Sequence, residues 1–446
     1  MGKTAESQVG SKSEDANEMV MNGDMQSECY DIVEPEANNG SELTRYSDTR
    51  ITSVFTSFKQ SLQNTKLNLG YGLNLEYDYS ALDDLSSHLI NNFGDPFMGS
   101  KFHGNSKKFE VAVLDWFARL WEIEKDEYWG YVTNGGSEGI LHGIFLGREM
   151  FPEGVLYLSK ESHFSVFKAA RICRMKCITI DTLFSGEIDC AHLKTELLQN
   201  KDKPAVINVN LGTSLKGAID DIDLVLQTLQ ECGFQQDRFY IHCDGSTCGF
   251  MLPLLQEVVP KITFKKPIGS ISICGHKFIG CPVPCGIQMT RMKHIKYLSM
   301  NVEYISSRDC TITCSRSGHA PIYLWYILSC KGYKGFEHDF RKCIRNANYL
   351  KDVIYKAGVS VMLNNFSFTL VIERPPDEDF VRRWQLACEG DLARVAIMPS
   401  DSIEKLDTFY RELVKSRSSW IENRGYQPYC VAPQIGRDNC VCAIHK

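Results

Sequence analysis

Five short stretches of the 446-residue chain end in side chains that could do chemistry together. Lys277 follows the apolar run 270-SISICGH-276, and solvation alone does not put a lysine at the mouth of such a run. Its amine can hold a carbonyl compound covalently. Asp244 ends 239-FYIHCD-244 and can hold a proton on a partner. His163 comes after 155-VLYLS-159 and Ser162 and offers a flat ring. Thr213 closes 205-AVINVNLGT-213 with a hydroxyl. After 128-YWGYVT-133, Asn134-Gly135-Gly136-Ser137 opens an apolar helix, where free backbone N–H groups and the helix dipole attract an anion. Singly, each has a plainer reading: a glycine turn, a satisfied histidine at a helix end, an Asp-Gly turn, a snorkelling lysine. Together they occupy the loops beyond the carboxyl ends of strands, where open parallel sheets bind ligands.

One cofactor asks for this set: pyridoxal phosphate. Its aldehyde needs an amine, which makes Lys277 the residue that holds it as a Schiff base. Its pyridine nitrogen must stay protonated, and a buried carboxylate such as Asp244 keeps it so. His163 can stack on the ring, and Gly136 and Ser137 can hold the phosphate. The rival is a metal site, from His242, Cys243, Asp244 and Cys248 or from Cys274 and His276. Alternate residues of a strand face opposite ways, so His242 and Cys243 cannot share an ion. The chain has 18 cysteines, and without a secretory signal they are expected to stay reduced. Cys281 and Cys285 bracket Pro-Val-Pro, and Cys440-Val-Cys442 stands near His445. Neither has paired CxxC spacing, so free thiols and no metal are expected.

The elements that must position these groups alternate. Strand patterns at 128–133, 155–159, 177–181, 205–213, 239–245, 269–275 and 286–290 are separated by helical ones at 140–151, 161–175 and 220–233. Short strands that are apolar on both faces, alternating with helices, predict a mainly parallel sheet covered on both sides. Residues 52–127 look mostly helical, and 325–358 predicts one long helix. Strands at 360–365, 368–374 and 393–399 predict a smaller α/β unit. The expected division is a disordered acidic tail (1–50), an N-terminal helical segment (51–108), a cofactor-binding large domain (109–310), a small C-terminal domain (311–420) and an irregular, Cys-containing end (421–446).

Residues 1–45 carry ten acidic against three basic side chains, a net of −7, while the whole chain is at −6. The body is therefore nearly neutral, with no electrostatic footprint for nucleic acid or an anionic membrane. No apolar run is long enough to span a bilayer, and the polar start is not a signal peptide, so the cytoplasm is the expected location.

Several motifs resemble a known family. They are Ser162-His163-Phe164-Ser165, Tyr240-Ile241-His242-Cys243-Asp244-Gly245, Gly275-His276-Lys277-Phe278-Ile279-Gly280-Cys281-Pro282, Asn92-Phe93-Gly94-Asp95-Pro96-Phe97 and Trp384-Gln385-Leu386-Ala387-Cys388. They are similar to the group II pyridoxal-phosphate amino-acid decarboxylases, nearest the plant serine decarboxylases and their histidine-decarboxylase-like relatives. The resemblance implies a type I, aspartate aminotransferase-like fold, with a mainly parallel seven-stranded sheet in the large domain and a small C-terminal α/β domain. It implies a homodimer with active sites at the subunit interface and a small-molecule amino acid as substrate. That substrate is L-serine, giving ethanolamine and carbon dioxide, or alternatively L-histidine, giving histamine. A third reading is a non-catalytic paralogue that dimerises with an active sister.

Carried onto this chain, the resemblance gives Lys277 the covalent link, Asp244 the pyridinium, His163 the ring face, and Gly136 and Ser137 the phosphate. It places His276 beside phosphate and ring, with Thr213, Ser246 and Cys274 among the cofactor contacts. It places Tyr304 in a loop region where the family has mobile active-site residues. Four positions depart from the family pattern. Cys274 replaces the serine of Ser-Gly-His-Lys, and a thiol is a poorer donor to phosphate. Ser246 replaces an alanine, and Gly136-Ser137-Glu138-Gly139-Ile140 replaces Gly-Thr-Glu-Gly-Asn. Cys314 replaces a glycine ahead of Ser-Arg. The stretches 319–326 and 384–391 look nearer the serine type, and Gly135-Gly136 and 360–367 nearer the histidine type.

Overall fold

The computed structural model describes residues 48–255, 257 and 261–445. The acidic tail, apart from its last three residues, lies outside the described residues. The chain divides into two units, Met1–Lys66 and Leu67–Lys446. In the first, α1 (Asp48–Ser61) runs into a 3-10 turn that begins at Leu62.

In the second unit, β1 (Asn91–Phe93) and α2 (Lys107–Leu120) precede the central block. That block runs β2 (Tyr128–Thr133), α3 (Gly136–Met150), β3 (Val155–Ser159), α4 (Phe164–Ile172), β4 (Lys176–Ile180) and α5 (Cys190–Gln199). It continues through β5 (Ala205–Asn210), α6 (Ile222–Glu231), β6 (Phe239–Asp244), β7 (Ser270–Cys274) and β8 (Gly286–Arg291). The strands form one seven-stranded sheet in the order β2-β8-β7-β6-β5-β3-β4. Strands β3 to β7 pair in parallel, while β8 is antiparallel to both β7 and β2. Six strands therefore run one way, and their carboxyl ends share one edge. Most are buried along their whole length, as a sheet covered on both faces requires. Asp189 and Asp221 cap α5 and α6 by accepting N–H bonds from the first turn.

Two ribbons follow: β9 (Met300–Val302) pairs with β10 (Ser307–Asp309), and β11 (Ser315–Ser317) pairs with β1. The long helix is α7 (His319–Lys356), interrupted at Gly332, whose φ of 59° and ψ of −177° suit glycine. Its first half packs into the large core through Ala320, Leu324 and Ile327, its second into the small one through Ala347, Leu350 and Ile354. The small sheet is antiparallel, in the order β12 (Val361–Leu363), β13 (Thr369–Glu373), β15 (Leu392–Ala396), β14 (Ala387–Glu389). The helices α8 (Glu378–Arg383) and α9 (Ile403–Arg424) complete that unit.

Residues 52–127 are less helical than their pattern predicts. Between α1 and α2 the chain holds 3-10 turns, β1 and irregular stretches. Residues 69–74 instead lie against the small sheet: Leu69 N donates to Trp384 O, and Ala396 N donates to Leu69 O. Farther on, a buried Glu110–Arg316 pair ties α2 to β11 at 2.9 Å. Glu110 also accepts from Asn92 Nδ2 and from the backbone N–H of Val132, so the pair is paired and hydrogen-bonded. It anchors the end of β2 just before the glycine turn. Cys314, where the resemblance leads one to expect glycine, has φ 51°, a left-handed conformation that costs residues other than glycine about 1–2 kcal/mol.

His142 in α3 and His242 in β6 are fully buried, and burial pushes both down to about 4. The unfolded chain takes up these protons near 6.5, the folded chain only near 4. Stability is therefore lost as pH falls through that window. The thermal midpoint is expected to fall between pH 6.5 and 4, with a shallower slope in a His142→Gln protein. An unchanged slope in that variant would count against the assignment.

Candidate active site

The sheet edge gathers the predicted groups around one cavity of about 300 Å³. Its walls include Gly135, Gly136, Ser137, His163, Thr213, Asp244, Ser246, Cys274, His276 and Lys277. Every loop that the sequence pointed to reaches it.

Lys277 lies in the hairpin loop between β7 and β8, half-buried, and among the described residues it is the only lysine in the cavity wall. The loop is held from the amino-terminal side. Asn74 N donates to Lys277 O, Asn74 Nδ2 to Phe278 O, and Tyr79 Oη to Gly280 O, each at 3.1 Å. The loop is thus braced by a segment some 200 positions earlier. His276 turns its Nδ1 to the backbone of Cys285, and burial lowers its pKa, helped by the Lys277 charge.

Asp244 ends β6 at 5% exposure and accepts the N–H of Ser246 at 3.0 Å. His163 is the N-cap of α4: its Nδ1 accepts the N–H of Ser165 and lies 2.6 Å from the Ser165 hydroxyl. Burial lowers the His163 pKa against an upward pull from Asp244, with Lys277, Lys168 and Arg394 adding to the fall. The ring is thus neutral near pH 7. Thr213 is held in its turn by the Ala218 N–H, which donates to Oγ1 at 3.1 Å.

The first turn of α3 forms the anion cradle. A Cβ on Gly136 would lie 2.3 Å from Cys274 Sγ and 3.5 Å from Ser246 Oγ, so both side chains flank the helix start. The hydroxyl that the resemblance leads one to expect at 274 thus has a counterpart at Ser246. That hydroxyl is buried and has no hydrogen-bond partner in the protein, in a cavity lined by an amine, a carboxylate and two imidazoles. A buried donor without a partner fits a site that receives an oxyanion. The residues present therefore fit pyridoxal phosphate.

The rival metal set around His242 and Cys243 is not brought together. His242 Nδ1 is 2.7 Å from Ser270 Oγ, and Cys243 lies in the large apolar core. Tyr304 is not brought to this cavity. It is 84% exposed on the turn between β9 and β10 and is not part of the cavity wall.

Sequence reasoning missed Arg394 and Asn210. Arg394 sits in β15, half-buried, with its Nε buried and lacking a hydrogen-bond partner in the protein. Burial pulls its guanidinium down to about 10, and its charge acts on His163. An arginine inside the apolar run 392-LARVAIM-398 was a signal of the same kind as Lys277. Asn210 lines the cavity and donates to Ser159 Oγ and Asp220 Oδ2, both at 3.0 Å. No sequence pattern marks it.

The pyridoxal-dependent decarboxylase conserved domain matches residues 98–374. The chain is 55% identical to serine decarboxylase 1 of Oryza sativa subsp. japonica, over 98% of this chain and 90% of that protein. It is 52% identical to the histidine decarboxylase of Solanum lycopersicum, over 88% of this chain and 95% of that one. Among solved structures, L-methionine decarboxylase from Streptomyces sp. 590 shares the fold, with a TM-score of 0.76 at 23% identity over 85% of this chain and 98% of that one.

Proposed function

Because the chain belongs to the pyridoxal-dependent decarboxylase family, we propose that it converts L-serine to ethanolamine and carbon dioxide. The observation that carries the choice of serine is the 55% identity to a serine decarboxylase across nearly the whole chain.

Pyridoxal phosphate is the cofactor. When bound, it supplies an electron sink for the bond that breaks as carbon dioxide leaves. Lys277 would hold it covalently, Asp244 would pair with its pyridine nitrogen, and His163 would cover its ring. The start of α3, with Ser246, Cys274 and Thr213, would surround its phosphate. The buried charge of Asp244 keeps a positive partner protonated, since opposite charges at contact stabilise each other. The neutral ring of His163 covers one face without adding a competing charge. Arg394 offers a buried Nε without a partner in the protein, and a guanidinium is suited to hold a substrate carboxylate by two hydrogen bonds.

Two copies associate in this reading. Tyr71, Tyr77, Leu89, Phe102, Phe109 and Trp325 leave large apolar surfaces exposed on the second unit, and association would cover them. The exposed Tyr304 then serves the partner's site rather than its own.

Carboxyl-labelled L-serine and L-histidine, given side by side to the cofactor-loaded protein, separate the readings. Serine is expected to release labelled carbon dioxide with kcat/KM at least about tenfold above histidine. The reverse order transfers the assignment to histidine. Release from neither, in protein that holds the cofactor, would make the chain a non-catalytic paralogue.

A further inference from the structure

The segment after α9 carries side chains that the active site does not use. Cys430, Cys440, Cys442 and His445 come from one largely irregular stretch, folded back on itself by α10 (Ala432–Ile435) and a 3-10 turn, Arg437–Asn439. One ligand atom from each of the four lies within 4.8 Å of all the others. His445 Nδ1 is 3.1 Å from Cys442 Sγ and 3.7 Å from Cys430 Sγ. Cys440 and Cys442 are buried, and Cys430 and His445 are half-buried. A tetrahedral zinc ion binds sulfur at about 2.3 Å and nitrogen at about 2.0 Å, which sets its ligands roughly 3.5–3.8 Å apart. With no two ligand atoms more than 4.8 Å apart, the cluster lies within about 1 Å of that tetrahedron. The spacing in sequence pointed to free thiols because no two ligands form a CxxC knuckle. Cys430 joins the others only through the reversal of the chain.

We propose that Cys430, Cys440, Cys442 and His445 bind one zinc-class divalent ion as a closed structural site. Three thiolates and a neutral imidazole fill all four positions and leave none open for substrate or water. Thiolate sulfur selects zinc over magnesium or calcium, which prefer oxygen. As each sulfur–metal bond forms, the thiol proton leaves to solvent.

The ion has a definite mechanical task. Cys440 and Cys442 pack with Val431, Ala432 and Ile435 on Met362, Val371 and Leu392 of the small sheet. Val441 N donates to Ser360 Oγ at 3.1 Å on the same wall. Leu215 packs against this cluster and follows the cavity residue Ser214. The neighbouring Asn364 donates to Lys216 O at 3.0 Å and to Ser185 O at 2.7 Å. The ion would clasp the end of the chain onto the wall that supports one side of the active-site edge.

The test uses untagged full-length protein, purified with a thiol reductant and analysed by elemental mass spectrometry. About one zinc per chain is expected. Exchange with cobalt(II) should give the visible bands of a tetrahedral thiolate site, which appear whether or not the enzyme turns over. Cys442→Ser and, at the less buried rim, Cys430→Ser should each lose most of the zinc and of the cobalt bands. Cys330→Ser, which removes an exposed thiol elsewhere, should keep both. Wild-type protein without zinc and without cobalt bands would overturn the proposal. So would full metal retention in Cys442→Ser and Cys430→Ser.

Discussion

A Lys277→Ala protein is expected to lose about a thousandfold or more of its decarboxylation rate, together with all covalent attachment of the cofactor. Among the described residues Lys277 is the only lysine in the cavity wall, so none of them places a second amine there. Its side chain is half-buried, and the loop's position is fixed by backbone bonds to Asn74 and by the Tyr79 hydroxyl. None of these contacts depends on the lysine side chain. The variant should therefore fold with a thermal midpoint close to that of the cofactor-free parent, and its loss of activity should be chemical. A Lys277→Ala protein that still released carbon dioxide at the parental rate would contradict the assignment.

Asp244→Asn is expected to lower the rate by about a hundred- to a thousandfold while leaving the cofactor attached to Lys277. Asparagine keeps the shape and can still accept the Ser246 N–H, so the turn after β6 survives. What is lost is the buried negative charge, and with it the means of keeping the pyridine nitrogen protonated. The pairing of outcomes is diagnostic: visible absorbance of the bound cofactor retained, turnover lost. A rate within tenfold of the parent would mean that the Asp244 charge is not used.

Much of the large domain was legible because a sheet buried on both faces leaves uninterrupted apolar runs. Tyr128–Thr133, Val155–Ser159 and Phe239–Asp244 are bounded where those runs stop. The five chemical groups were legible for the same reason, since each interrupts or ends such a run. The reversal of β8 was not, because a fully buried strand looks the same in either direction. The edge strand Ala387–Glu389 is only three residues long and too short to carry a pattern. Asn74 and Tyr79 were invisible because their partners are backbone carbonyls far along the chain, which no side-chain pattern reports. Arg394 could have been found by the rule that found Lys277, a charge where the run is apolar. Tyr304 lies on the β9–β10 turn outside its own chain's cavity wall, and no sequence pattern reports which cavity a loop residue reaches. The Cys430 cluster shows another limit, because a ligand set drawn from an irregular segment has no spacing to recognise.

The most direct test of the site is the position of the covalent link. Cofactor-loaded protein is reduced with borohydride, digested, and its peptides are sequenced by mass spectrometry. The pyridoxyl group is predicted on Lys277, in the peptide that follows β7. Finding it on another lysine, or on none, would contradict the assignment of this cavity as the cofactor site.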